Sequence, residues 1–454
     1  MAKGDSLFVS PISYYTRIRG WDLSPGYGEG AFRGFTRRVV DLCVDCHTGW
    51  PQLVPGSHNR FQQPPFRFLT VGCERCHGPG AVHVEQRIQE SVVGGSFDES
   101  TDLSIVNPRK LRPEIRDDVC AQCHLAGDAR VLQPGKDYLD FRPGTALGDV
   151  VAIFSVPQAI KGNHFVALDQ FEQLKLSRCW TASNGRLGCI SCHDPHVQLH
   201  GDQAVSFFRD HCLRCHAASS CREPLAQRQA TSPPDNCILC HMPKHPTENI
   251  GHSSVTDHRI LRAPSEIPAA LQSNSSAPQD LIYDTKPSVA GQTQTDLRNL
   301  ALAYAQVATH YPELGDKGLA LLEQAAAALP ADAEVQAAYG NVLRVAHPRE
   351  EQRASEALQR AIDAGSKSAE VRAQLARLRV QQGQVTAAME LYQESIRIDP
   401  YLTPAYLDLA QIYLSLKDRK NAMEVLDGVL KIDPGNDAAR QERLKAEALT
   451  DQNR

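Results

Sequence analysis

Apolar and polar positions follow two rhythms along this chain. From about Thr295 onward, alanine and leucine recur at helical spacing, and the pattern itself repeats. Asp399-Pro400 and Asp433-Pro434 lie 34 residues apart, as do Ala388 and Ala422. Placing the prolines at the end of each repeat puts Leu375-Ala376 and Leu409-Ala410 at the close contacts of first helices, with Tyr392 and Leu426 filling second helices. Weaker copies fit residues 296–330 and 332–366, and Asn436 to Leu449 reads as a capping helix. Helix pairs with this period cannot bury an apolar face alone and stack into a curved solenoid.

The rhythm ahead of this region is shorter and more broken. Residues 7–42 alternate aromatic and polar positions around Tyr14, Tyr15, Trp21, Tyr27, Phe32 and Phe35, with prolines and glycines between, which predicts short strands and turns. Helical pieces are expected at Thr36 to Cys46, Ala81 to Val92, Pro113 to His124 and Val205 to His216. The apolar stretch Val150 to Val156 predicts a strand, and Phe141-Arg-Pro-Gly144 a turn. Residues 261–294, rich in Ser, Pro, Gln and Ala, have the composition of a linker. Three parts follow: 1–260, loop-rich with mainly short helices and little sheet; the linker 261–294; and an all-α tetratricopeptide-type solenoid over 295–450, since 34 residues is that period.

Composition narrows the chemistry. The 454 residues carry 48 Lys+Arg against 53 Asp+Glu, a formal charge of -5, and no basic surface of the kind nucleic acid requires. No apolar run approaches the ~20 residues of a membrane span. Cysteine is the informative residue. Of 14 cysteines, 12 form six copies of Cys-x-x-Cys-His, at Cys43/Cys46/His47, Cys73/Cys76/His77, Cys120/Cys123/His124, Cys189/Cys192/His193, Cys212/Cys215/His216 and Cys237/Cys240/His241. With 17 histidines in the chain, a His follows a given thiol pair by chance about one time in twenty-five, yet every pair here has one. Two thiols three residues apart can bond the two vinyl groups on one edge of a haem, and the next residue brings its imidazole beneath the iron. Zinc pairs two thiol half-sites into one tetrahedron and has no use for a His after each second Cys. The pattern therefore predicts six covalently held haem c groups. Cys179 and Cys221 are left over, either as a disulfide or as two buried thiols.

Six haems within Cys43 to His258 leave about 36 residues for each, so the porphyrins are expected to form much of the core. The last three motifs are separated by only 18 and 20 residues and the first two by 25, spacers that keep neighbouring haems close; a gap of 64 follows His124. His47, His77, His124, His193, His216 and His241 are the expected proximal ligands. Methionine is an unsuitable sixth ligand, because the first 260 residues contain only Met1 and Met242, the latter beside His241. Bis-histidine ligation follows, which lowers potentials relative to Met/His. The expected distal set is His83, after a Gly-Pro-Gly turn, His196, after Asp194-Pro195, and His258 in Thr-Asp-His-Arg, followed by His58, His164 and His252. His200, His211 and His245 are expected to remain unliganded or to serve as substitutes.

These stretches, with Ser-Pro-Ile-Ser-Tyr-Tyr (10–15), Trp-Asp-Leu-Ser-Pro-Gly-Tyr (21–27), Gly-Cys-Glu-Arg-Cys-His-Gly-Pro-Gly (72–80), Cys-Ile-Ser-Cys-His-Asp-Pro-His (189–196), Cys-His-Met-Pro-Lys (240–244) and Thr-Asp-His-Arg-Ile (256–260), resemble bacterial multihaem c-type cytochromes with doubled CxxCH motifs followed by tetratricopeptide repeats. The group is itself distantly similar to the nitrifier electron-carrier cytochromes and to pentahaem nitrite and octahaem hydroxylamine enzymes, although the CxxCK motif of the nitrite enzymes is absent. The resemblance implies electron transfer among redox partner proteins, with the repeats docking a partner. The alternative is a multihaem reductase or oxidase acting on a small nitrogen or sulfur compound at one open haem. Covalent haem attachment takes place outside the cytoplasm, so a periplasmic or otherwise exported location is expected. The group's signal and its further CxxCH ahead of the Ser-Pro-Ile-Ser segment are then expected upstream of this chain.

Overall fold

A computed structural model describes residues 1–16, 18–27, 36–54, 57–94, 102–157, 169–246, 253–262, 280–285, 287–288 and 293–448. The chain forms two compact units, one of Met1–Tyr15, Arg19–Leu69 and Gly291–Arg454, the other of Thr16–Ile18 and Thr70–Ala290.

In the first unit the repeat region is a run of antiparallel helix pairs, Thr293–Val307 with Gly315–Ala328, Ala333–Ala346 with Glu351–Asp363, Ala369–Gln381 with Val385–Ile398, and Thr403–Ser415 with Arg419–Ile432, closed by Asp437–Ala448. Side-chain caps define several starts. Asp332 accepts from the backbone N–H groups of Glu334 and Val335, Ser368 from Val371, and Asp418 from Asn421. Gly365 and Gly383, at φ 94° and 74°, turn the chain after the helices ending at Asp363 and Gln381, a conformation closed to most side chains. The positions picked out by the 34-residue period form the core: Leu375, Ala376, Ala388, Tyr392, Leu409, Ala410, Ala422 and Leu426 are all buried. Alanine at these contacts lets helices of successive pairs approach closely, and Tyr392 fills the space that remains.

The boundary at 260 is drawn differently in the structure, which packs Met1–Leu69 with the repeats. This segment holds the hairpins Ile12–Tyr15/Gly20–Leu23 and Trp50–Leu53/Phe61–Phe68 and the helix Asp41–His47 that carries the first motif. Its contacts converge on the loop between the third and fourth pairs. The Phe8 ring meets Tyr401 edge-on at 5.1 Å, Arg38 pairs with Asp399, and Arg60 donates to the Ile398 carbonyl at 3.3 Å.

In the second unit the expected helical pieces appear as Ala81–Val93, as Pro113–Arg116 followed by Asp118–His124, and as Gly201–Leu213, joined by the short helices Glu74–His77 and Cys237–His241 among others. Its one substantial apolar core among the described residues lies around the predicted strand, observed as Val151–Ser155, which pairs antiparallel with Ala129–Leu132 on one side and Ile282–Tyr283 on the other. Ile282–Tyr283 lies within the stretch whose composition reads as linker, so that reading fails for 280–285. Leu281 and Thr285 are buried there, and the Thr285 hydroxyl both accepts from Ile153 N–H and donates to the Val151 carbonyl, each at 3.0 Å. A two-residue strand is too short to stand out against a polar, proline-rich background. No helix among the described residues is long and apolar enough to cross a membrane.

Away from that sheet the unit has almost no apolar interior. Among the described residues between Leu174 and Leu261 no hydrophobic side chain is buried, and the helix Ala81–Val93 buries none while exposing Val82, Val84, Ile88, Val92 and Val93. A chain that buries so little cannot offset its conformational entropy by its own side chains.

Candidate functional site

Each Cys-x-x-Cys-His copy spans about one turn, in α-helix or, for the fourth, a 3-10 turn. The His N–H donates to the carbonyl of the first Cys at 2.9 Å for His77 and His193 and 3.0 Å for His216. The motifs therefore have the local geometry of paired thiols beside an imidazole before any ligand is considered. Of the expected attachment thiols, Cys43, Cys73, Cys212, Cys215 and Cys240 are exposed, while Cys46, Cys76, Cys120, Cys123, Cys189, Cys192 and Cys237 are half-buried.

In the second unit the five motifs are neighbours in chain order. Cys76 is close enough to Cys120 and Cys123 for their charges to interact. Cys120 lies beside Cys189, Cys192 near Cys215, and Cys212 beside Cys237. Anchors two to six thus form an unbroken series. Cys240, expected as the second attachment thiol of the sixth motif, is exposed. In the helix Cys237–His241 the first Cys turns toward Cys212, whereas Cys240, three residues on and rotated about the helix axis, faces solvent. The first motif, Cys43 to His47, belongs to the unit that carries the repeats.

Two of the expected proximal histidines each face one of the expected distal histidines, a pairing the sequence left open. The His77 and His196 rings lie 5.9 Å apart centre to centre and 21° from parallel, and His193 and His258 lie 6.2 Å apart at 29°. Two imidazoles bound to opposite sides of one metal through bonds of about 2.0–2.1 Å have ring centres roughly 6 Å apart. The backbone carbonyls bonded to these rings suit this use. His77 Nδ1 donates to the Val106 carbonyl at 2.7 Å, His241 Nδ1 to Leu261 at 2.7 Å and His258 Nδ1 to Thr256 at 2.8 Å. A carbonyl only accepts, so these contacts place the proton on Nδ1 and leave the Nε2 lone pair for a metal. Burial pushes the pKa of His193 and His258 down, which favours the neutral, ligating form.

The other expected distal residues stand apart. His83 Nδ1 faces Asp102 at 2.9 Å and Ser104 at 3.1 Å, and His58 Nδ1 faces Asp41 at 3.1 Å, a hydrogen bond that raises the His58 pKa. Among the described residues neither ring faces a motif histidine. His164 and His252 lie outside the described residues. His47, His124, His216 and His241 have no facing imidazole among the described residues. Cys179 and Cys221 are free, and Cys179 lies near Cys192, Cys212 and Cys215.

The donor set fits haem c better than zinc. Among the described residues no three His, Cys, Asp or Glu side chains converge as a metal-ion site would require. Thiol pairs set beside an imidazole, facing imidazoles at the spacing of a metal between them, and helices with no apolar interior are together what a large flat ligand would complete. Sequence reasoning missed the groups that orient these rings, the Val106, Thr256 and Leu261 carbonyls, because a backbone acceptor leaves no trace in residue identity.

On the repeats, a cleft of about 480 Å³ is walled by Gln359, Arg379, Gln384, Glu390, Leu391, Glu394 and Arg397, a polar surface between successive pairs.

Comparison with known proteins bears on the repeats. Residues 379–448 match the tetratricopeptide repeat family. Among solved structures, the MamA protein is 20% identical, with 34% of this chain and 82% of that chain covered, at a TM-score of 0.31. YrrB, described as a TPR protein with an unusual peptide-binding site, is 18% identical over 35% of this chain and 88% of its own, at 0.29. The first TPR of Spaghetti (RPAP3), solved bound to an HSP90 peptide, is 18% identical over 26% and 90%, at 0.24. No curated protein sequence matches the chain.

Proposed function

We propose that this protein is an exported electron carrier with six haem c groups, one in the unit that bears the tetratricopeptide repeats and five in the other. The observation that carries the reading is the series of neighbouring anchors from Cys76 through Cys120, Cys189 and Cys192 to Cys212 and Cys237. Neighbouring sites in an unbroken order suit stepwise passage of single electrons better than isolated catalytic work. Haem c bound at these sites supplies reversible one-electron exchange. The chain would contribute the rest: the thiols would fix position, His77 with His196 and His193 with His258 would hold the iron, and the Val106 and Thr256 carbonyls would orient the His77 and His258 rings. The exposed Cys240 is open to a vinyl group arriving from the solvent side of its helix. The repeats offer a stacked helical surface for docking a protein partner, a redox partner in this reading. Because haem is attached covalently outside the cytoplasm, the periplasm or a comparable exported compartment is the proposed location.

The test is a haem-stained denaturing gel, followed by a redox titration of the purified protein. Six haems per chain, low-spin spectra and several overlapping one-electron steps are expected; a chain that migrates without haem overturns the proposal.

One observation favours a second reading, a reductase or oxidase of a small nitrogen or sulfur compound: four motif histidines have no facing imidazole among the described residues. Carbon monoxide separates the two. It binds one reduced iron readily in the enzyme and none in the carrier.

A further inference from the structure

A cleft of about 510 Å³ in the second unit has His193 in its wall, together with Ile190, Ser191 and Asp194 of the fourth motif region, Phe207 and His211 from the approach to the fifth, Arg214 between the two cysteines of the fifth, and Arg109 and Arg116. Three guanidinium groups and one carboxylate make it cationic, and their bonds show which charges are already balanced. Arg116 is held by Asp117, at 2.9 Å from Nη2 and 3.1 Å from Nε, and donates to the Arg186 and Gly185 carbonyls at 2.8 and 3.2 Å. Asp194 faces His196 Nδ1 at 3.0 Å. His211 Nδ1 donates to the Phe207 carbonyl at 2.7 Å. Arg109 and Arg214 remain, exposed to the cleft and without a side-chain bond among the described residues. Arg109 acts on Asp194 only through space.

We infer that Arg109 and Arg214 form a carboxylate cradle that holds the propionate groups of the haem anchored at Cys189, Cys192 and His193. The inference rests on the haem reading above and adds a role for two residues outside every motif ligand. Any haem attached at that motif must occupy space against His193, and it carries two carboxylates on the edge opposite its thiol bonds. Two unspent guanidinium groups lining the same cleft supply matching charge, and Arg donors bind carboxylates through parallel N–H bonds stronger than neutral ones. Without an anion, two cations share a concave surface whose one carboxylate is already turned to His196, an arrangement that costs free energy in a partly desolvated site. The same chemistry would suit a free oxyanion entering from solution, so the test separates the two sources.

As positioning residues, Arg109 and Arg214 act on the potential of one iron. Reduction adds an electron, and a nearby cation stabilises the reduced form; removing the cation makes that haem harder to reduce. The experiment uses the full-length holoprotein with Arg109→Gln, Arg214→Gln and the double variant, and Arg222→Gln as a cation outside the cleft. Spectroelectrochemical titration should show one of the six steps moving to a more negative potential in the double variant, by about tenfold in its reduction equilibrium, 59 mV for one electron. Haem stain and low-spin spectrum should be unchanged, and Arg222→Gln should leave all steps in place. If no step moves while haem content is intact, the cradle is refuted and the haem reading survives. If the wild type itself carries no haem, both fall. Sodium sulfite is the second arm: no effect on wild-type potentials is expected. A sulfite-dependent shift that the double variant abolishes would assign the cleft to a free oxyanion and overturn the propionate assignment.

Discussion

The Tyr401 hydroxyl donates to the carbonyl of Lys3 at 2.9 Å, joining the fourth helix pair to the third residue of the chain. The same ring packs on Phe8, and Lys3 returns a bond from Nζ to the Ile432 carbonyl at 3.2 Å. The first motif is therefore held on the repeat scaffold by contacts at two successive repeat ends. Tyr401→Phe should cost about 1 kcal/mol, the usual net worth of one hydrogen bond. Tyr401→Ala, which also removes the ring from Phe8, should cost about 2–3 kcal/mol for a half-buried aromatic. Urea unfolding measures the loss, and limited proteolysis should find residues 1–69 cleaved faster in Tyr401→Ala while the helices of the repeats resist.

The two facing imidazole pairs make the most direct prediction about ligation. His196→Ala and His258→Ala should each open one iron, giving one equivalent of carbon monoxide binding and a matching high-spin fraction, with free imidazole restoring the low-spin spectrum. His211→Ala should do neither, since its ring meets Phe207 rather than a motif histidine. Equal carbon monoxide binding by all three variants would remove the assignment of His196 to the His77 site and of His258 to the His193 site.

Much of this was legible in residue order, for physical reasons that also mark where legibility stops. A 34-residue period survives in sequence because stacking demands a small side chain at each contact, so Ala376, Ala388, Ala410 and Ala422 could be placed before the fold was seen. The six Cys-x-x-Cys-His copies were equally plain as a pattern of fixed spacing, which the structure winds into short turns. Pairing across distance was not. His77 meets His196 only because loops of the second unit return on each other, and Arg60 finds the Ile398 carbonyl 338 residues away. Nor could spacing tell that Cys237 would turn to Cys212 while Cys240 faced solvent, since both carry the same motif role. Ile282–Tyr283 shows the same limit: its strand character comes from the open edge of Val151–Ser155, which local composition cannot report.

Asp118 gives a pH-dependent test. Its carboxyl, at the start of the helix leading into the third motif, is pushed up to about 6, chiefly by burial, although the Leu147 N–H donates to it at 2.8 Å and opposes the rise. A raised carboxyl binds its proton more tightly in the folded chain than in the unfolded one, where the value is about 3.9. Its favourable contribution is present in full below about pH 4 and is lost as pH rises through about 6. At neutral pH the ionised group therefore weighs against folding. Asp118→Asn keeps an acceptor for Leu147 and removes the charge. It should stabilise the protein by about 1–2 kcal/mol at pH 7.5 after allowance for partial exposure, and by little or nothing at pH 4.5. Thermal unfolding of both proteins at the two pH values checks the sign.

Gly340 tests the packing of the repeats most sharply. It lies in the helix Ala333–Ala346, and a Cβ built there would sit 2.8 Å from Leu358 Cγ and 3.0 Å from the Ala354 carbonyl oxygen, both in the partner helix Glu351–Asp363. Leu358 and Ala354 are fully buried, so neither can swing aside. Two effects oppose each other in Gly340→Ala. Alanine gains about 0.8–1 kcal/mol of helix propensity over glycine, while forcing a methyl into a filled contact costs about 1–3 kcal/mol. Because one contact is to backbone, relief requires the helices themselves to part, and the second effect should win by about 1 kcal/mol. Gly428 provides the contrast, since its added Cβ would meet only the edge of the Tyr406 ring at 3.3 Å. That ring can give by a few tenths of an ångström, so Gly428→Ala should be neutral or slightly stabilising. Denaturant midpoints that rank Gly340→Ala at or above the wild type would show that the contact between these two helices is looser than the side chains require.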